Sequence, residues 1–137
     1  MEELQDRLGY HFKSIPLLEE ALHPADTRPL QGNKRLALVG DSVLSTSLLD
    51  EWYDSGDTIG TLNYTENGDH ILRKNACNKH LSCKGEAFEL DDFITGQPAQ
   101  KGEITNGTRA TTVEAILGAV WIDSGMKIYA VDVPMIW

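Results

Sequence analysis

Apolar positions along this chain recur at intervals of three and four rather than two, so the pattern predicts helices from end to end. Leu4-Gln5-Asp6-Arg7-Leu8-Gly9-Tyr10 reads as a short helix that Gly9 stops. Ser14 is placed to cap a second helix, with Pro16 in its first turn, where a missing N–H costs nothing. Ile15, Leu17, Leu18, Ala21 and Leu22 form its apolar side, and Pro24 closes it. Residues 24–33 are rich in Pro, Gly and polar types and read as a loop. The longest predicted helix covers residues 33–53: Leu36, Val39, Val43, Leu44, Leu48, Leu49 and Trp52 make its stripe, and Asp54-Ser55-Gly56-Asp57 ends it.

Residues 55–68 read as an irregular connection. A helix follows from Asp69 to Leu81, a shorter one from Lys84 to Asp92, and a break from Gly96 through Gly107. The last predicted helix is Ala110 to Ser124, striped by Val113, Ile116, Leu117, Val120 and Trp121 and stopped by Ser124-Gly125. No segment alternates with period two between hairpin turns, so the expected fold class is all-α. Residues 126–137 read as a tail whose Ile136 and Trp137, if exposed, would dock on this core or on a second subunit.

The 137 residues suffice for one domain with one core, expected over residues 1–125. No apolar run is long enough to span a membrane. Met1-Glu2-Glu3-Leu4-Gln5-Asp6 lacks the basic and apolar regions of a signal peptide, so an intracellular home is expected, with cytosol, nucleus and organelle not distinguished. The net charge of −9 argues against gripping nucleic acid by overall charge. It is compatible with a nuclease whose carboxylates hold a divalent cation, since the bound ion reverses the local field. Cys77 and Cys83, with His80 between them, lack a fourth zinc ligand and are expected to be buried free thiols.

Two acids interrupt the apolar helical runs, Asp41 in the long helix and Glu114 in the last. An ionised carboxylate in an apolar setting is costly unless it is paired or binds a cation. Helical spacing puts Asp41 on one face with Ala37, and Glu114 on one face with Thr111. Two such helices packed side by side would bring both acids together, and paired acids suit a hard cation such as Mg²⁺. Spacing alone leaves open a second reading, in which each acid is hydrogen-bonded to a neighbour or lies at a helix edge.

Three blocks of sequence raise the first reading. Leu8-Gly9-Tyr10-His11-Phe12 with Leu17-Leu18-Glu19-Glu20-Ala21-Leu22-His23-Pro24 resembles the opening helices of ribonuclease III domains. Asn33-Lys34-Arg35-Leu36-Ala37-Leu38-Val39-Gly40-Asp41-Ser42-Val43-Leu44 resembles the family signature Asn-Glu-Arg-Leu-Glu-Phe-Leu-Gly-Asp-Ala-Val-Leu. Ala110-Thr111-Thr112-Val113-Glu114-Ala115, running on to Asp123-Ser124-Gly125, is similar to the second acidic helix, Ala-Asp-x-x-Glu-Ala and onward to Asp-Ser-Gly.

The resemblance implies an all-helical homodimer whose valley holds double-stranded RNA and whose metal-activated water cleaves both strands. Four acids per subunit normally build that site. By position Asp41 and Glu114 remain as catalytic and metal-binding acids, while Ala37 and Thr111 replace the other two. Thr111 and Asn33 would support the site, with Mg²⁺ or Mn²⁺ as cofactor. Lys34, Arg35, Arg73, Lys74 and Arg109 are candidate RNA phosphate contacts, with Lys79 and Lys101 nearby in sequence. The expected function is metal-dependent endonucleolytic RNA processing, weakened by the reduced acid set. The alternatives are a catalytically inactive dimer that binds structured RNA or a ribonucleoprotein, and an interaction protein that touches no RNA.

Overall fold

The computed structural model describes residues 1–24, 32–56, 66–95 and 104–126. Among these residues the structure is helical throughout, with no strand: α1 (Glu2–Leu8), α2 (Ile15–Ala21), α3 (Lys34–Ser55), α4 (Glu66–Asn75), α5 (Asn78–Ala87), a 3₁₀ turn (Leu90–Asp92) and α6 (Asn106–Asp123). The expected all-α class is what the chain adopts. No described helix is long and apolar enough to cross a membrane. The segment 127–137, with Ile136 and Trp137, lies outside the described residues.

The two longest helices, α3 and α6, form the centre, and α2 and α5 pack on α6. Their shared core is made by Leu36, Leu44 and Leu48 of α3, Val113, Ile116, Leu117 and Val120 of α6, and Leu4, Leu8, Leu18, Leu22, Leu81 and Leu90 around them. The predicted stops hold where backbone chemistry forces them. Gly9 and Gly56 end α1 and α3 in the left-handed conformation, which glycine adopts without a Cβ clash. Thr105 caps α6 by accepting a hydrogen bond from the Thr108 N–H at 3.1 Å, so α6 starts before Gly107 and that glycine is helical.

The single helix expected over 69–81 is two helices that break at residues 76–77, where Cys77 is extended (ψ 153°). The cause is tertiary. Gly68 on α4 packs under the Trp52 ring of α3, whereas Leu81, Ser82 and Gly85 of α5 face α6, so the chain turns between two partners. The helix expected over 84–92 ends at Ala87, and Glu89 in the left-handed region leads into the 3₁₀ turn. Cys77 and Cys83 are free but exposed, not buried as expected.

Asp123 fastens the last turn of α6 to the segment between α1 and α2. Its carboxylate accepts from the Tyr10 hydroxyl at 2.8 Å and from the Lys13 and Ser14 N–H groups at 2.9 and 2.8 Å. Burial raises the Asp123 pKa, but these hydrogen bonds outweigh it and hold the group below the usual carboxylate range.

Candidate active site

The position of the two acids follows from how closely α3 and α6 approach. A Cβ added at Gly40 would stand 1.6 Å from the Glu114 carbonyl oxygen and 2.9 Å from the Gly118 nitrogen. One added at Gly118 would stand 2.2 Å from the Leu36 carbonyl oxygen. The crossing is therefore backbone against backbone, and only glycine fits at either position. Asp41 is the residue after Gly40, and Glu114 supplies the carbonyl that Gly40 meets, so this contact brings the two residues near enough for the Asp41 charge to act on Glu114.

Asp41 is exposed, whereas Glu114 is half-buried. The cost of placing an acid in an apolar run therefore falls on Glu114 and not, as the sequence pattern suggests, on both. Among the described residues neither carboxylate has a hydrogen bond or a cation partner. Burial, and after it the neighbouring Asp41 charge, push the Glu114 pKa up to about 7.

A divalent ion would relieve both effects, and the donor set suits one such ion. Two unpaired carboxylates on an open face match Mg²⁺ or Mn²⁺, which keep several waters and need no closed protein cage. A richer site is not available: Ala37 is buried and apolar, Thr111 is half-buried and neutral, and among the described residues no group of three or more His, Cys, Asp or Glu converges.

The other predicted site residues divide sharply. Lys34, Arg35, Arg73 and Lys74 are exposed, as phosphate contacts would need to be. Lys74 lies close enough to His80 to lower its pKa, after burial and together with Lys84. Arg109 is the correction. It is only 6% exposed, and its guanidinium binds Asp91 in a two-pronged pair, Nε to Oδ1 at 2.8 Å and Nη2 to Oδ2 at 2.7 Å. Its Nη1 donates to Ser82 Oγ, Glu86 Oε1 and Asn106 Oδ1 at 3.0, 3.1 and 3.1 Å. These bonds tie α5, the 3₁₀ turn and α6 together and leave no donor for RNA.

Asn33 is likewise structural. Only 1% exposed, it donates to the Ala21 carbonyl at 2.9 Å and to Thr112 Oγ1 at 3.3 Å, joining the end of α2 to α6. Thr111 and Lys34 both line a cavity of about 180 Å³, together with Pro24, Asn33, Gly107 and Thr108.

Sequence reasoning missed Leu38. It lies off the stripe of Leu36, Val39 and Val43, is 73% exposed, and borders an apolar groove of about 450 Å³ with Val39, Val43 and Trp121. An apolar residue off the stripe of an amphipathic helix was the available signal.

Comparison with known proteins gives a consistent picture. The sequence model of the ribonuclease III domain matches residues 34–125. Ribonuclease 3 of Vibrio cholerae is 32% identical over 133 residues, covering 93% of this chain and 56% of that protein. Ribonuclease 3 of Shewanella sediminis is 34% identical over 134 residues, with the same coverages of 93% and 56%. The chain thus spans little more than half the length of these relatives. Among solved structures, the nuclease domain of ribonuclease III from Campylobacter jejuni superposes with a TM-score of 0.81 at 23% identity, covering 96% of this chain and 88% of that one. A second structure of that domain, concerned with flexibility in the region involved in its dimer formation, superposes with a TM-score of 0.79.

Proposed function

This chain belongs to the ribonuclease III domain family, and we propose that it is a divalent-metal-dependent endoribonuclease that cuts double-stranded RNA as a homodimer, more slowly than a domain with four acids. Residues 1–125 would form the working unit. The observation that carries this reading is the unpaired state of Asp41 and Glu114, with Glu114 pushed up to about 7 by burial and by its neighbour's charge. Two adjacent carboxylates without a cation are unfavourable as a purely structural feature, and a bound metal gives them a purpose.

Asp41 and Glu114 would hold the ion, Mg²⁺ or Mn²⁺. When bound, it supplies an acidified water and neutralises charge on the phosphate under attack. Glu114 must be ionised to bind, so its raised pKa couples the site to pH near neutrality. Asp41 helps to hold the ion and raises Glu114. Ala37 contributes nothing polar, and Thr111 offers only a neutral hydroxyl, so affinity for the ion should be lower than a full acid set would give. The apolar groove around Leu38 supports the homodimer, since a second copy would cover it. Exposed Lys34, Arg35, Arg73 and Lys74 are suited to RNA phosphates, which are recognised through A-form shape rather than sequence.

The deciding experiment is cleavage of a long, perfectly paired RNA in Mg²⁺, in Mn²⁺ and in EDTA, beside Glu114→Gln. Cutting that requires metal and disappears in the variant is expected. Duplex binding without cutting in any metal would overturn the enzymatic reading in favour of an inactive RNA-binding dimer.

A further inference from the structure

Two departures from the family's acidic pattern fall in one place. Where the signature carries its first Glu this chain has Lys34, and where the second helix carries Asp it has Thr111. The two positions are 77 residues apart in sequence, yet both line the same polar cavity. Each change removes a negative charge, and one adds a positive charge. Among the described residues no acid lines the cavity, in a chain whose net charge is −9.

We propose that this cavity receives a phosphate group of the RNA backbone, held by the Lys34 ammonium and the Thr108 and Thr111 hydroxyls. The assignment rests on the reading of the chain as a double-stranded RNA nuclease and names where its substrate is gripped. The available donors suit an oxyanion. Among the described residues the Lys34 ammonium and the Thr111 hydroxyl have no partner. Thr108 Oγ1 accepts from the Thr105 hydroxyl at 3.0 Å, which leaves its own proton to donate outward. A lysine ammonium is a compact phosphate-binding charge, and hydroxyls add direction.

Size and place agree. A bound water needs roughly 10–15 Å³ of such space, so about 180 Å³ admits a tetrahedral oxyanion with some of its hydration. Thr111 lies three residues before Glu114 on one helix face, so a phosphate here would sit about one helical turn from the carboxylate pair. The site would thus exchange part of its cation-holding capacity for a direct grip on the substrate's backbone.

The test uses the intact protein in EDTA, so that neither cleavage nor metal binding enters. Inorganic phosphate is titrated against the amide resonances of Thr108 and Thr111, and a short RNA duplex is titrated by fluorescence anisotropy. Both are done for the native chain, Lys34→Glu and Thr111→Val. Lys34 is exposed, and thermal midpoints check that each variant is folded. Phosphate-dependent shifts at Thr108 and Thr111 that vanish in Lys34→Glu, with roughly tenfold weaker duplex binding and a shallower salt dependence, are expected. Absence of shifts in the native chain would overturn the site. Shifts with unchanged duplex affinity in Lys34→Glu would overturn the assignment to RNA and leave a site for free phosphate. Because no cleavage is read, failure here is distinct from failure of the nuclease reading, which Glu114→Gln decides.

Discussion

Gly118 and Gly40 meet where α6 crosses α3: a Cβ built on Gly118 would lie 3.0 Å from the Gly40 nitrogen and 2.2 Å from the Leu36 carbonyl oxygen. Backbone cannot yield as a flexible side chain can, so Gly118→Ala must push the helices apart and is expected to cost about 2–3 kcal/mol of stability. Gly40→Ala, 1.6 Å from the Glu114 carbonyl, should cost more. Chemical denaturation measures both. An unchanged midpoint in Gly118→Ala would mean that the helices do not pack at this distance.

Glu114 gives the chain a pH dependence of definite sign. Its folded pKa, about 7, lies above the ordinary value of 4.5, so folding favours the protonated form. The folded state is not penalised at pH 4, loses stability as pH rises from about 4.5 to 7, and levels off above that. Glu114→Gln should therefore be stabilising at pH 8, by on the order of 1–2 kcal/mol after solvent screening, and close to neutral at pH 4. Asp41→Asn should lower the Glu114 midpoint only partway, because burial is the larger cause. Carbon-detected NMR titration reads both midpoints, and a Glu114 midpoint near 4.5 would contradict the burial seen here.

Arg109 tests whether its buried network is structural. Removing the guanidinium strands Asp91 and leaves Ser82 and Asn106 without their shared donor. Arg109→Met should cost about 2–4 kcal/mol, discounted from a fully buried pair because Asp91 is partly exposed. Duplex RNA affinity, measured below the variant's melting temperature, should not change. A folded variant that binds RNA more weakly would restore Arg109 as a contact.

Leu38 tests the homodimer. It is 73% exposed beside the groove lined by Val39, Val43 and Trp121. Leu38→Asp would bury an unpaired charge in any dimer formed there but leave the monomer's core untouched. Light scattering should show the native chain as a dimer and the variant as a folded monomer. A variant that stays dimeric would move the interface elsewhere.

Local chemistry along the chain was enough to determine the helical class, the stops at Gly9 and Gly56, the stripe of α6 and the presence of two unusual acids. Each of these depends on residues within a turn or two of one another: a glycine that tolerates positive φ, apolar groups spaced by 3.6. The break at residues 76–77 was not legible, because it arises from α4 and α5 choosing different partners. The roles of Arg109 and Asn33 were not legible either. A basic or amide side chain reads the same in a surface list whether it meets solvent or a distant Asp91 or Ala21 carbonyl.

The site shows the division most clearly. The sequence supplied Asp41 and Glu114 as candidates, but not which of them is buried, since that depends on where the α3–α6 crossing leaves each side chain. Nor could it reveal that Lys34 and Thr111 line one cavity. Proximity across 77 residues is created by packing, and here two glycines that let two backbones touch set that packing.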